Sequence, residues 1–377
     1  MRCFSLSKKE VQFHDYQYMV NKLRNKGLII DSNRIAIELL QSVGYYNLIN
    51  RYKSEFYLPD KKVYRSNVHI TDLYYYHRIE DDLRNILFQF AIKFEQRLKE
   101  SMAYIMAKRR GVKTSEYLNP LTYRNKNKAI KITKFLNKKI SECNDDPTKY
   151  YKEKYGDVPP WIMLSNITFG QTRMLLSIFP RNMTKYIMIK LLPIGKNNYG
   201  DIDEFIFNEF MDSLDLDKYS DKELNQISEK YENTLIKFTR NVISLIHDYR
   251  NNLAHGNRLI HFHANTSLEL RTLRIFTNNS VFSDEEYYNN QLCSNDLFAL
   301  MAALVITLDK YDSIYLISQL EVWKKANTAT DITKKQFDQF ISSSDLPSDF
   351  IKRLKNITIE KTNRQKNKEF RDFMDNF

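Results

Sequence analysis

The sequence predicts an all-α protein, a helical bundle with helical extensions at both ends, and three observations carry that prediction. Glycine and proline are scarce, eight of each in 377 residues, whereas sandwiches and barrels need a turn-former every few residues. Long stretches place apolar residues three and four apart, the period of one helix face. Apolar residues make up 42% of the chain and include 25 Tyr and 23 Phe, enough to fill a core, so disorder is not expected.

Taken in order, Ser7-Lys8-Lys9-Glu10 reads as a capping box for a helix that runs to about Lys26 and is ended by Gly27. Asp31 is placed to cap a second helix bearing Ile35, Leu39 and Leu40, and an aromatic-rich stretch follows to Tyr57. Thr71 or Asp72 opens a long helix whose apolar face is Ile79, Leu83, Ile86, Phe90, Phe94 and Leu98, and Gly111 stops it. A basic helix covers roughly Lys126 to Cys143. Asp157-Val158-Pro159-Pro160-Trp161 introduces another that ends near Phe169-Gly170, with more helix expected between Thr172 and Leu192 and between Ile202 and Leu214.

Ser220 and Glu223 form a second capping box. Behind them runs a stripe of Leu224, Ile227, Tyr231, Leu235, Phe238, Val242, Leu245 and Tyr249, able to pack on another long helix of the same chain or of a partner. Gly256 is a natural left-handed stop, which sets His255 at or near the helix C-terminus. The segment Leu259 to Tyr288 is ambiguous, and Leu259-Ile260-His261-Phe262-His263 is open to an extended reading. The longest apolar run, Leu297 to Leu308, falls short of the ~20 residues that span a bilayer and predicts a buried helix instead. Helices over about Tyr311–Ala326 and Lys334–Ser342 follow, then a basic tail. The domain division expected is an N-terminal helical unit over 1–60, a central helical domain over 61–275 with a basic insertion at 108–140, and a C-terminal helical region over 276–377.

The net charge is +12, from 58 Lys+Arg against 46 Asp+Glu, a balance that favours a polyanionic partner. It is concentrated in two blocks. Lys108 to Lys139 holds eleven basic residues and one acid, and Lys352 to Arg371 holds eight basic residues and two acids. Lys126, Lys128, Lys131, Lys134, Lys138 and Lys139 make the first block the best surface for guiding a phosphate backbone. Cys3, Cys143 and Cys293 are scattered with no paired spacing, which fits a reducing compartment and no structural zinc. The first residues lack the apolar core of a signal peptide, so a soluble cytoplasmic protein without a cofactor is expected.

Chemistry is carried by an arginine followed closely by a histidine. Arginine grips a phosphate through its planar fork, and histidine moves a proton near neutral pH. Three such pairs occur: Arg250/His255, Arg240/His247 and Arg258/His263. Arg240/His247 sits mid-helix among Val242, Ile243, Leu245 and Ile246 and reads as structural, while Arg258/His263 lies past the helix end. Arg250-Asn251-Asn252-Leu253-Ala254-His255-Gly256 is delivered by a long amphipathic helix and ended by a glycine. His261 and His263 have the spacing of a metal pair on a strand, but no third ligand is nearby, so metal is not expected. Tyr45, Tyr46 and Trp161 suit base stacking, though core packing is the expected role.

The string Arg250 to Leu259 resembles the motif of the Abi-like abortive-infection proteins of the AbiD and AbiF type, within the HEPN ribonuclease superfamily. The run Lys22 to Ile30 followed by Leu39 to Leu48 is similar to that family's N-terminal signature. Glu80-Asp81-Asp82-Leu83-Arg84 with Phe94-Glu95-Gln96-Arg97 resembles its first long helix, and Val158-Pro159-Pro160-Trp161 with Thr168-Phe169-Gly170 its central signature. Leu253 departs from the cysteine frequent there and reads as a packing position.

The resemblance implies an HEPN-like helical bundle and metal-independent cleavage of RNA by attack of its own 2′-hydroxyl, in phage defence. Arg250 and His255 would be catalytic, Asn251 would orient the phosphate or the histidine, Arg258 would contact the RNA backbone, and the lysines of the first basic block would guide it. Glu95 and Arg97 would buttress the site, and a homodimer through the 220–255 helix would bring two motifs together. An alternative it also implies is an RNA-binding protein that holds a structured non-coding RNA, with conditional cleavage or none.

Overall fold

Helix is nearly the whole of the regular structure in this computed structural model, which describes residues 12–193 and 220–358. The chain divides into two compact units: one takes it up to Leu83 together with Trp323–Ser343, the other takes Arg84–Val322 and the chain from Ser344.

The first unit opens with α1 (Tyr16–Arg24) and α2 (Asn33–Val43). The Asp15 carboxylate caps α1 by accepting from the Tyr18 amide, and the expected capping box at Ser7–Glu10 lies outside the described residues. Gly27 turns the chain at φ +82°, a conformation open to glycine. Ser32, not Asp31, caps α2, by accepting from the Ile35 amide. The Asp31 carboxylate is instead 2.8 Å from His69 Nδ1, since an N-cap must sit one residue before the first helical turn.

A short helix, α3 (Lys53–Phe56), leads into the antiparallel ribbon of β1 (Tyr57–Leu58) and β2 (Val63–Tyr64). The unit's core is aromatic: Tyr76 meets Tyr52, Phe56 and Phe340 edge-on. Within that core Glu80, fully buried, accepts from the Tyr52 hydroxyl at 2.5 Å and pairs with Arg51 at 3.3 Å. Tyr46, by contrast, is 71% exposed, so the core role expected of it does not hold.

The second unit holds the candidate site. Helix α4 (Ile70–Arg110) begins in the first unit and continues through the second, with Asp72 accepting from the His69 amide at its start. Of its expected apolar face, Ile86 is only half-buried, and Leu87 is fully buried in its stead. Gly111 stops it at φ +92°. Next come α5 (Thr114–Tyr117), the basic α6 (Lys126–Glu142), α7 (Thr148–Tyr155) and α8 (Pro160–Ser165).

Phe169-Gly170 does not end a helix; it begins α9 (Phe169–Leu176). Thr168 and Gln171 form a capping box, and this reciprocal pair outweighs the glycine as a local signal. Trp161, on α8, is 41% exposed, again not a core residue.

After α10 (Arg181–Leu191) comes the 34-residue α11 (Asp221–Ala254), opened by the Ser220–Glu223 capping box. The expected helix at 202–214 lies outside the described residues. Leu235, Phe238, Val242, Leu245 and Tyr249 are buried, with α9, α10 and the later α14 packed on α11. From Leu235 onward, the chain itself therefore covers the stripe. The side chains of Leu224 and Ile227 lie outside the described residues.

Beyond α11, Leu259–His263 is a turn with His261 at φ +59°, not a strand. Two short helices, α12 (Leu270–Leu273) and α13 (Asp284–Asn290), precede α14 (Leu297–Thr307). Every residue of α14 is buried, as a helix apolar all round must be. Helix α15 (Lys310–Asn327) follows, then α16 (Asp331–Ser343), which belongs to the first unit, and a last helical stretch over 350–358. Most of the basic tail lies outside the described residues. No described helix is long and apolar enough to cross a membrane.

Candidate active site

The last two turns of α11 carry the candidate residues. At about 100° per residue, His247, Asn251 and His255 fall in one stripe, each turned about 40° from the one before, with Arg250 on its flank. His255 is the C-cap, its amide donating to the Asn251 carbonyl at 3.1 Å, and its side chain is exposed. Gly256 at φ +61° turns the chain away. Leu253, 3% exposed, and Asn252, 7% exposed, anchor the other side of this turn. Leu253 thus packs, and Asn252 donates to the Arg258 carbonyl at 3.4 Å. Arg84 of α4 donates to the Asn257 carbonyl at 3.4 Å. These contacts hold the turn from its other side, and His255 itself is exposed.

Arg250 is held by α4. Its Nε lies 3.3 Å from the Glu95 carboxylate, and its guanidinium sits over the Phe88 ring at 5.9 Å. Glu95 is 6% exposed and also pairs with Lys99 at 2.8 Å, so one buried carboxylate bridges two cations. Arg97 is not part of this cluster. Two residues further along α4 it points about 200° away, donates to the Lys190 carbonyl at 2.6 Å and faces Asp309 at 3.9 Å.

His247 enters the cluster, against the structural reading of its motif. Its Nδ1 is 2.6 Å from Arg173 Nη1, and its Nε2 is 3.2 Å from the Asn251 amide. Arg173 comes from α9 and also donates to Ser244 Oγ at 2.8 Å, with Asp248 3.9 Å away. Phe169 meets the imidazole edge-on, and a Cβ on Gly170 would lie 3.4 Å from Nε2, so this glycine leaves the ring its room.

Burial lowers the pKa of His247, and the neighbouring Arg173 and Arg250 add to that, while Asp248 opposes it. Nδ1 also lies 3.2 Å from the Asp248 carboxylate, so this nitrogen faces both a guanidinium, which only donates, and a carboxylate, which accepts. At Nε2 the ring is met by the Asn251 Nδ2, while the Asn251 Oδ1 is turned towards Arg250, 3.5 Å from its Nη1. Lys99, Glu95, Arg250, Asn251, His247 and Arg173 thus form one polar chain across α4, α11 and α9. The sequence held a signal for it in the i, i+4, i+8 spacing of His247, Asn251 and His255.

The six lysines expected to guide RNA, Lys126, Lys128, Lys131, Lys134, Lys138 and Lys139, are all exposed on α6. Four of them, Lys128, Lys131, Lys134 and Lys138, share an outer arc away from the buried Ala129, Ile132, Thr133 and Leu136, with Lys126 and Lys139 on its flanks. Lys138 pairs with Glu142 at 3.7 Å. Arg258 is half-buried beside the α11 terminus, and His263 is exposed in the turn beyond it.

The model of the Abi-like protein family matches residues 38–261. The chain belongs to the Abi-like family. The matched span includes Glu95, Arg173, His247, Arg250, Asn251 and His255, so the whole polar chain lies within the Abi-like region, whereas α14 lies beyond it. No curated protein and no solved structure matches the chain.

Proposed function

We propose that this Abi-like protein is a metal-independent endoribonuclease of the HEPN type acting in abortive infection, the phage defence to which the family's name points. The observation that carries the proposal is Arg250 braced by buried Glu95 while His255, one turn on, stands free at the helix end. A braced guanidinium binds a phosphate and stabilises charge that builds on it. An exposed imidazole reaches the reacting oxygens.

The reaction follows from the substrate. A base removes the proton of the ribose 2′-hydroxyl, O2′ bonds to phosphorus, the P–O5′ bond breaks, and an acid returns a proton to O5′. The products are a 2′,3′-cyclic phosphate and a 5′-hydroxyl. One imidazole serves one of these two proton transfers, so a second copy supplies the other. With the apolar side of α11 packed inside the chain, the copies would meet over its polar stripe. Asn251, oriented by His247, would donate to the phosphate, and Arg258 would contact the strand beyond it.

The test is cleavage of single-stranded RNA in EDTA by the wild type, His255→Ala and Arg250→Ala. Both variants should lose activity, DNA of the same sequence should stay intact, and the RNA products should carry cyclic phosphate ends. Cleavage that persists in His255→Ala would falsify the proposal.

The exposed lysine arc of α6 favours a second reading, a protein that holds a structured non-coding RNA with conditional cutting or none. A discrete RNA species that co-purifies with the protein and survives intact would support that reading.

A further inference from the structure

A cleft of about 270 Å³ opens between the start of α6, α10 and the middle of α11, with Arg124, Arg181, Thr184, Lys237, Arg240 and Asn241 in its wall. Four of these side chains are cationic, and their partners divide them. Arg181 is neutralised by Glu232 at 2.9 Å and Glu229 at 3.6 Å, and Lys237 by Glu269. Arg124 and Arg240 have no acidic partner among the described residues. Among the described residues Arg240 donates only a long bond to Thr184 Oγ1 at 3.5 Å, and its buried Nε has no hydrogen-bond partner there. Burial lowers the pKa of Arg240, and the charge of Arg124 adds to it. The two guanidiniums therefore feel each other inside the cleft.

Two like charges lining one cleft, one of them half-buried and short of acceptors, are costly unless an anion joins them. A tetrahedral oxyanion suits the gap, since each guanidinium fork can donate to two of its oxygens. The helix sets where this gap lies. Arg240, Ser244, His247, Asn251 and His255 share one side of α11, and the fifteen residues from Arg240 to His255 rise about 22 Å. A strand laid along that stripe would place one phosphate at His255 and another, a few nucleotides away, in the cleft.

We propose that the Arg124–Arg240 cleft is a phosphodiester-binding subsite that fixes a single-stranded RNA at a distance from the bond that is cut. This inference rests on the reading of the protein as acting on RNA. It adds a site to the α6 lysines and Arg258, the residues expected to contact the strand. It also gives Arg240 a role outside the core.

The test uses the full-length protein and a 5′-fluorescein-labelled single-stranded RNA with 2′-O-methyl riboses, which cannot be cut. Binding is followed by anisotropy over a range of salt for wild type, Arg124→Gln, Arg240→Gln, the double variant, and Lys149→Gln as a surface-charge control. The double variant should bind roughly tenfold or more weakly, as expected for lost charged hydrogen bonds. Its plot of log K against log salt should be shallower by about 0.7, the share of one phosphate on a single strand. Lys149→Gln should change affinity less than about twofold. A double variant that behaves like Lys149→Gln overturns the proposal. So does tight stoichiometric binding of inorganic phosphate in the cleft with RNA affinity unchanged in the double variant.

Failure of the wild type to bind any RNA sinks the nuclease reading as well. His255-dependent cutting of RNA that is indifferent to both arginines sinks the cleft alone. Should Arg240→Gln not fold, the exposed Arg124→Gln carries the test by itself, with threefold or more weakening expected.

Discussion

Glu95→Ala removes the one carboxylate that Arg250 and Lys99 share, and its cost can be worked from the geometry. At 3.3 Å from Arg250 and 2.8 Å from Lys99, the pairings have gross Coulomb attractions of about 5 and about 6 kcal/mol at an effective dielectric near 20. Desolvation offsets most of this. Removing one partner of a buried pair costs about 3–5 kcal/mol. The Lys99 side chain is 14% exposed and that of Arg250 29%, so the lower end, about 3 kcal/mol, applies.

Arg250→Ala should behave differently, because Glu95 keeps Lys99 and no buried charge is left unpaired; about 1 kcal/mol or less is expected. The double variant should fall short of additivity by about 1 kcal/mol. Urea unfolding of the three variants and the wild type, read as midpoint and slope, measures these differences. Arg250→Ala costing as much as Glu95→Ala, or strict additivity, would refute the bridging role of Glu95 and with it the bracing of Arg250 by α4.

Three further outcomes follow from the same structure. His255→Ala should leave stability within about 0.5 kcal/mol of wild type in the same unfolding assay, because an exposed side chain at the C-cap has nothing to lose, while RNA cleavage disappears. Asp296, the buried N-cap of α14, has its carboxyl pushed up to about 7 by burial against the pull of its backbone donors. A folded value above the unfolded one means that its contribution to stability is full below pH ~4 and is lost as pH rises towards 7. Asp296→Asn keeps the capping oxygen and should gain on the wild type by up to a few kcal/mol between pH 5 and pH 8; an equal gap at both pH values would contradict this. For His247 the shift runs the other way: burial holds its folded value low. Its contribution is present above pH ~6.5 and fades as pH falls below it, so His247→Gln should flatten the loss of stability between pH 7 and pH 5.

Much of this protein was legible from the chain alone, because the signals are local. Helix period and capping chemistry act within a few residues, so Ser220 with Glu223, Gly111, Gly256 and the apolar run at 297–307 marked their elements without reference to the fold. The string Arg250 to Gly256 stood out for the same reason, since one helix end arranges all of it. Where two local signals competed, the stronger geometry won: Thr168 with Gln171 started α9 at a glycine that reads as a stop, and Ser32 displaced Asp31 as a cap.

Tertiary structure alone decided which polar groups meet. Arg173 reaches His247 across 74 residues of sequence, and Glu95 reaches Arg250 from another helix. The cleft takes Arg124 and Arg240 from separate elements. Packing also left Tyr46 and Trp161 in solvent and turned Arg97 away from the site. Hydrophobic period tells which face of a helix is buried, but not which helix covers it. That depends on how the intervening loops close and how the side chains interlock, and it decides whether a mid-helix histidine is filler or part of the site.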